Sequence, residues 1–215
     1  MIWLVGAALA EDLGPAPPPN DTVNDLGARY GYSESKAWED ASNAMLFTVP
    51  AVGFVPTSGD LSVWPEGMAA SGSAFLVSGF LAYVGKKASS RPRPYWEAGQ
   101  CQTQTADGWE CDLYGTVRTI PEHEVRASFP SGHTALVTAS TAAWVTRAWL
   151  DDSADRNVQI GATIAGAALS VGTGVARVGA GRHHISDVAT GFLIGGLVGV
   201  AAPLVVDRIS QPGQQ

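Results

Sequence analysis

Four long apolar segments most constrain what this chain of 215 residues can fold into. They are residues 66–85, 132–150, 158–176 and 188–206. Each is long enough for an extended helix, and the last, which is the most apolar, is long enough to cross a bilayer. With two shorter helical segments at 33–43 and 44–55, the pattern predicts an all-α fold, a bundle of about six helices.

Polar residues stand at matching ends of the four long segments. In chain order these residues are Lys86 after the first segment, Ser131 before the second, Arg177 after the third and Asp187 before the fourth. If successive helices run in alternate directions, all four residues lie at one end of the bundle. The order of the helices therefore predicts a shared site at that end.

The densest polar stretch is residues 174–188, G-V-A-R-V-G-A-G-R-H-H-I-S-D-V. His183 follows Arg177 by six residues, and Asp187 follows His183 by four. A carboxylate in the first turn of the next helix could bind one nitrogen of an upstream imidazole and leave the other free as base or nucleophile. By itself the stretch equally fits a polar loop with a capping Asp and two surface histidines.

Two further motifs extend this pattern. The first is K-K-A-S-S-R-P-R-P at residues 86–94, and the second is F-P-S-G-H-T at residues 129–134. Together the three stretches resemble the signature of the type 2 phosphatidic acid phosphatase and vanadium haloperoxidase superfamily, K-x6-R-P, P-S-G-H and S-R-x5-H-x3-D. The matching residues are Lys86, Arg93, Pro94, Pro130, Ser131, Gly132, His133, Arg177, His183 and Asp187. Ala176 stands where the family usually has Ser.

The resemblance implies a fold like that of the acid phosphatases and haloperoxidases, with the active site at one end of the bundle. It implies that His183, oriented by Asp187, is a nucleophile that forms a phosphohistidine, and that His133 is the general acid and then the base. The implied activity is hydrolysis of phosphomonoesters or diphosphates, above all lipid phosphates of the phosphatidic acid or undecaprenyl pyrophosphate type. His184 is the rival nucleophile, one residue off the pattern.

Residue chemistry agrees with an anion site. Lys86, Arg93 and Arg177 can supply three positive charges, and arginine can donate two parallel bonds to a phosphate. Ser131 and Gly132 stand at a helix N-terminus, where free N–H groups favour an anion. No histidine, cysteine or carboxylate cluster has metal-ligand spacing, so we expect metal-independent hydrolysis and no cofactor. The net charge of −7 gives no reason to expect a nucleic-acid partner.

Cysteine usage bears on location. Cys101 and Cys111 lie in one polar loop, a spacing that fits a disulfide and an oxidising compartment, although two free thiols are the alternative. We therefore place the site in the cell envelope, on a membrane bundle whose active site faces the periplasm, or on a soluble periplasmic bundle. The oligomeric state cannot be read from the sequence.

Domain boundaries follow from composition. Residues 1–10 are apolar and resemble a signal-peptide remnant or a short apolar segment, and residues 11–32 form a Pro-rich linker. The resemblance implies that residues 33–210 form a phosphatase helical domain, in which residues 88–131 are expected to be a long irregular excursion of the kind that forms lids or binding loops. His123 in that excursion is expected to be exposed.

Two other functions remain compatible with these residues. One is a vanadate-dependent haloperoxidase, which uses the same anion site for a different reaction. The other is a non-catalytic membrane bundle that binds lipid phosphates.

Overall fold

The computed structural model describes residues 35–52, 55 and 64–210. Within these residues the helices are α1 (Lys36–Val52), α2 (Trp64–Ser89), α3 (Pro94–Glu97), α4 (Glu122–Val125), α5 (Gly132–Leu150), α6 (Arg156–Gly179) and α7 (Ile185–Ser210). Three strands, β1 (Cys101–Thr105), β2 (Gly108–Leu113) and β3 (Thr116–Ile120), lie between α3 and α4. The predicted all-α bundle is confirmed, with a small sheet added to it. Our predictions for residues 1–10 and 11–32 lie outside the described residues.

Helix α5 is the centre of the bundle and contacts α1, α2, α6 and α7. Two of its buried hydroxyl groups bind carbonyls of the preceding turn. Ser140 Oγ donates to the Leu136 carbonyl at 3.0 Å, and Thr141 Oγ1 donates to the Val137 carbonyl at 2.9 Å. These bonds let a central helix bury polar side chains without the penalty of an unpaired hydroxyl.

Helix α7 packs on α5 through a stripe of glycines at every fourth residue. A Cβ atom on Gly191 would lie 2.8 Å from the Ser131 carbonyl oxygen, and one on Gly199 would lie 2.6 Å from the Ala139 carbonyl oxygen. Gly195 between them is just as close to the backbone of α5. Because no side chain separates the two helices, their backbones set the distance between Ser131 and the start of α7.

The helix boundaries agree closely with the sequence pattern for the later helices. Helix α5 occupies the predicted range, and α2, α6 and α7 each extend a few residues beyond theirs. Across residues 36–52, the two short segments predicted at 33–43 and 44–55 are joined in the single helix α1, with Pro50 inside it. The prediction of two separate helices there is wrong.

The excursion at 88–131 is more regular than expected. Strands β1, β2 and β3 pair in sequence order, each antiparallel to the next, and Cys101 stands opposite Cys111 and is bonded to it. Inward side chains of the sheet pack on α3, where Trp96 and Trp109 meet edge to face with ring centroids 4.6 Å apart. The excursion is thus a small cross-linked unit with its own core.

Among the described residues, three helical stretches are long and apolar enough to cross a membrane: Pro65–Glu97, which comprises most of α2 and continues through α3, and the helices α6 and α7. In each of them, only 28% of the most apolar 18-residue stretch is buried inside the bundle. Large apolar side chains project outward from all three, among them Leu76, Phe80, Ile164, Val171, Leu193 and Leu197. Such outward apolar faces are compatible with a membrane-embedded bundle.

Candidate active site

The end of α2, the starts of α5 and α7 and the end of α6 meet at one pole of the bundle. The main-chain N–H of Ser131, just before α5, donates to the Asp187 carbonyl in the first turn of α7 at 3.0 Å. Lys86 Nζ, at the end of α2, donates to the Ala127 carbonyl at 2.5 Å. The three sequence motifs are therefore gathered at one end, as the helix order predicts.

His183 lies in the connection between α6 and α7 and is almost fully buried. Its Nδ1 atom is 2.7 Å from the Ser128 carbonyl oxygen and 3.6 Å from Asp187 Oδ2. A carbonyl oxygen only accepts, so Nδ1 carries the proton and Nε2 keeps its lone pair. The sequence led us to expect the Asp187 carboxylate as the bonding partner, whereas the shorter bond goes to the main chain of Ser128.

Asp187 is fully buried and binds three donors other than the imidazole. Its Oδ1 accepts from Arg91 Nη1 at 2.7 Å, and its Oδ2 accepts from Ser128 Oγ at 2.6 Å and from the His184 N–H at 2.9 Å. These donors keep Asp187 ionised and fixed beside His183. Sequence reasoning missed Arg91, although its position between Lys86 and Arg93 was a signal, and missed Ser128, for which there was none.

His133 occupies the first turn of α5. Its Nε2 atom lies 2.9 Å from Asn43 Oδ1, on α1. Burial, together with repulsion from Arg177, Arg93 and Lys86, lowers the pKa of His133 to about 3. Burial and the same three cations also hold the pKa of His183 well below its usual value. Both imidazoles therefore lie in the field of one set of cations and are neutral at neutral pH.

Main-chain and hydroxyl oxygens orient the cationic side chains. Arg93 donates from Nε to the Glu124 carbonyl at 2.8 Å and from Nη1 to the Arg182 carbonyl at 3.3 Å. Arg177 Nη1 donates to Ser42 Oγ at 3.0 Å. The buried Arg177 Nε has no partner among the described residues. Each guanidinium has five N–H groups, so donors remain on both for an anion.

The start of α5 uses Ser131 as a cap. Its Oγ accepts from the Thr134 N–H at 3.5 Å, while its own N–H is taken by Asp187. The N–H of Ser131 is therefore used within the fold, and phosphate binding by Ser131 stays a prediction. The amides of Gly132 and His133 begin the helix and point out of its N-terminal end. Lys86 packs there, since a Cβ on Gly132 would lie 3.7 Å from Lys86 Cε.

The remaining histidines lie outside this arrangement. The His184 ring is 3.6 Å from Glu97 Oε2, and its main-chain N–H serves Asp187. His123 is exposed on α4, as expected. Across the part of the chain that the structure describes, no three His, Cys, Asp or Glu side chains are grouped to hold a metal ion.

An additional cation, Arg182, binds residues that the sequence did not single out. Arg182 Nη2 lies 2.6 Å from Glu39 Oε1, and its guanidinium lies 5.4 Å from the Tyr95 ring centroid and 5.8 Å from that of Tyr114. Tyr114 also donates its hydroxyl to the Ala180 carbonyl at 2.8 Å. The sheet and α1 thus both support the connection that carries His183.

The arrangement is suited to an anion held between two neutral imidazoles, one with a free Nε2 and an orienting carboxylate. Comparison with known families agrees with this chemistry. The model of the PAP2 superfamily matches residues 67–210, which include all three motifs. No curated protein matches the chain. Because the match covers well over half of its length, the chain belongs to the PAP2 superfamily, whose members are phosphatases.

Proposed function

We propose that the protein is a phosphatase that works through a phosphohistidine on His183, without a metal ion, and that residues 33–210 form its catalytic domain. The observation that carries this proposal is the bond from His183 Nδ1 to the Ser128 carbonyl, because it leaves Nε2 as the nucleophilic atom. Lys86, Arg93 and Arg177 supply the charge that a metal ion supplies in other phosphatases.

In the first step, Nε2 of His183 attacks phosphorus and the bond from phosphorus to the leaving oxygen breaks. The dianionic phosphate offsets the surrounding cations, so a proton can reside on His133 once substrate is bound. His133 gives this proton to the leaving oxygen, and the product alcohol or phosphate departs with that oxygen protonated. The phosphohistidine ring then carries a positive charge, which the Ser128 carbonyl and the buried Asp187 stabilise.

In the second step, water attacks phosphorus and the bond from phosphorus to Nε2 breaks. His133, now neutral, takes a proton from that water and regains its first protonation state. His183 returns to its neutral form, and inorganic phosphate leaves. The guanidinium groups of Arg93 and Arg177 bind the equatorial oxygens in both steps, because the phosphoryl group stays between them.

We further propose that the substrate is a lipid phosphate, such as phosphatidic acid or undecaprenyl pyrophosphate. The outward apolar faces of α2, α6 and α7 support residence in a membrane, which brings the site close to lipid headgroups. The disulfide between Cys101 and Cys111 supports an oxidising compartment for the catalytic end, namely the periplasm.

The test is phosphate release from phosphatidic acid, undecaprenyl pyrophosphate and p-nitrophenyl phosphate by detergent-purified protein, with and without EDTA. We expect release from at least one lipid, unchanged by EDTA, and a burst of acid-labile phosphoenzyme when the phosphoryl group is labelled. Well-folded protein that releases no phosphate from any of the three contradicts the proposal. Loss of activity in EDTA contradicts its metal-independent part.

The orientation has its own test. A single cysteine placed at exposed Thr119 on β3, in a chain whose native disulfide is intact, should react with an impermeant maleimide in whole spheroplasts. Labelling that appears only after the cells are lysed contradicts a periplasmic site.

A further inference from the structure

Helix α1 lies outside the part of the chain that matches the family, yet it contacts the centre of the site. Three polar side chains on one face of α1 each bind a different group of the catalytic end. The pairs are Glu39 with Arg182, Ser42 with Arg177, and Asn43 with His133. Positions three and four residues apart share a helix face, so one face of α1 reaches all three groups.

Apolar and sulfur contacts hold α1 in this position. Ser42 is fully buried, and Thr173 Oγ1 of α6 lies 3.2 Å from Met45 Sδ. The Trp38 ring covers Gly179 of α6, where an added Cβ atom would lie 3.0 Å from the ring. The polar face of α1 is therefore fixed against α5 and α6 along several turns.

The contact between Asn43 and His133 decides which nitrogen of His133 can exchange a proton with substrate. Asn43 Oδ1 can only accept, so Nε2 of His133 carries a hydrogen in both the neutral and the charged ring. The lone pair of the neutral ring is then on Nδ1. A carbonyl acceptor at Nε2 also stabilises the charged ring more than the neutral one.

We propose that Asn43 is a positioning residue that makes Nδ1 of His133 the proton-transferring atom and favours the protonated ring when substrate is bound. The proposal rests on the proposed phosphatase function for its catalytic consequence. According to this proposal, α1 contributes a positioning residue to the site, in addition to the residues of the three family motifs.

Leaving-group dependence provides the kinetic test. An alkyl phosphate such as a short-chain phosphatidic acid needs protonation of its leaving oxygen, whereas p-nitrophenyl phosphate releases a stable phenolate and hardly needs it. For Asn43→Leu we expect kcat/KM to fall about 30-fold or more with the alkyl phosphate and less than about threefold with p-nitrophenyl phosphate. For Asn43→Asp, whose carboxylate also accepts from Nε2, we expect most alkyl activity to be kept, with the alkaline limb of its pH profile moved to higher pH.

The matched control is Asp40→Leu, an apolar replacement one turn away on an exposed position of α1 that pairs only with Lys36 among the described residues. For this variant we expect kcat/KM with each of the two substrates to stay within about twofold of the wild-type value. Equal losses with both substrates for Asn43→Leu would assign Asn43 a merely structural role and overturn the proposal, as would no loss with either.

A spectroscopic measurement separates this proposal from the phosphatase proposal. Nitrogen-15 NMR of histidine-labelled protein in detergent, with the His133 signal assigned by its loss in His133→Gln, reports the tautomer without any turnover. We expect the Nε2–H tautomer in the wild type and a mixture in Asn43→Leu. A wild-type Nδ1–H tautomer overturns the assignment of Asn43 even if the enzyme is active, and the expected tautomer in an inactive protein overturns only the phosphatase function.

Discussion

His183 donates its Nδ1–H to the carbonyl oxygen of Ser128, over a distance of 2.7 Å. A main-chain acceptor cannot change its protonation state, so it fixes one tautomer of the ring at every pH at which the fold persists. The neighbouring carboxylate of Asp187, at 3.6 Å, is then free to act mainly through its charge. This division between orientation and charge leads to the first two predictions.

Replacing His183 by Asn should lower the turnover rate by at least about 10³-fold and abolish the trapped phosphoenzyme. The reason is that the replacement has no nucleophilic nitrogen. The measurement is phosphate release together with labelling quenched in alkaline detergent, because the P–N bond of a phosphohistidine is lost in acid. His184→Asn is the matched control, because the His184 ring lies beside Glu97. We expect its turnover rate to stay within about threefold of the wild-type rate. Loss of labelling in His184→Asn instead would move the nucleophile to the adjacent residue.

Replacing Arg91 by Gln should lower kcat about tenfold with little change in KM. The substitution removes the cation that pairs with buried Asp187 at 2.7 Å, so the carboxylate becomes easier to protonate and stabilises the charged phosphohistidine less. Steady-state kinetics on one lipid phosphate measure the effect. Arg118→Gln, on an exposed position of β3, is the control, and equal kinetics for both variants would rule out a contribution from Arg91.

Acidification should destabilise the folded protein partly through His133. Its folded pKa of about 3 lies below the ordinary value of 6.5, so below pH 6.5 the unfolded chain binds a proton that the folded chain does not. The unfolding free energy should therefore fall by about 1.4 kcal/mol per pH unit for this one group as the pH drops from about 6.5 towards 3. At pH 7 and above this contribution is constant.

Thermal unfolding in detergent from pH 7 to pH 5 measures this dependence. His133→Gln should show a smaller fall in Tm over that range than the wild type, because one of the protons taken up on unfolding is removed. A fall as steep as that of the wild type would mean that His133 is protonated in the folded state.

Gly195→Ala should lower the stability by roughly 1–3 kcal/mol, since its Cβ would run into the main chain of α5 near Ala135. Gly196→Ala is the matched control, one residue away on the same helix, where a Cβ meets nothing within 4 Å. The control should be neutral or slightly stabilising, because alanine favours the helix. Equal Tm values for the two variants would show that α7 and α5 do not pack as closely as the structure describes.

Apolar length and motif order were sufficient to predict the bundle and the end at which the three motifs meet. Long segments such as 132–150 are bounded by clear polar residues, so the limits of α5 follow directly from the pattern. The small sheet was missed, although G-W-E-C-D-L at Gly108–Leu113 alternates between buried and exposed positions. That period of two was a usable signal for a strand.

The contacts of the site were less predictable than its members. Asn43 and Ser42 reach the site only because α1 packs across α5 and α6, and no local spacing in the sequence reports that packing. The Ser128 carbonyl is a main-chain group, for which the identity of the residue gives no signal. Arg91 was visible as a cation in the first motif, but its partner, Asp187, is 96 residues away.

The glycine stripe between α5 and α7 has a consequence for how substrate range can change. Since Gly191, Gly195 and Gly199 bring main chain against main chain, the separation of the two helix starts cannot be adjusted by exchanging one side chain for another of different size. Under the proposed function, the spacing of the reacting groups at these two helix starts then depends little on side-chain substitutions elsewhere in the bundle. Under the proposed function, adaptation to a different leaving group would then act on the cross-linked sheet, while the reacting atoms keep their places.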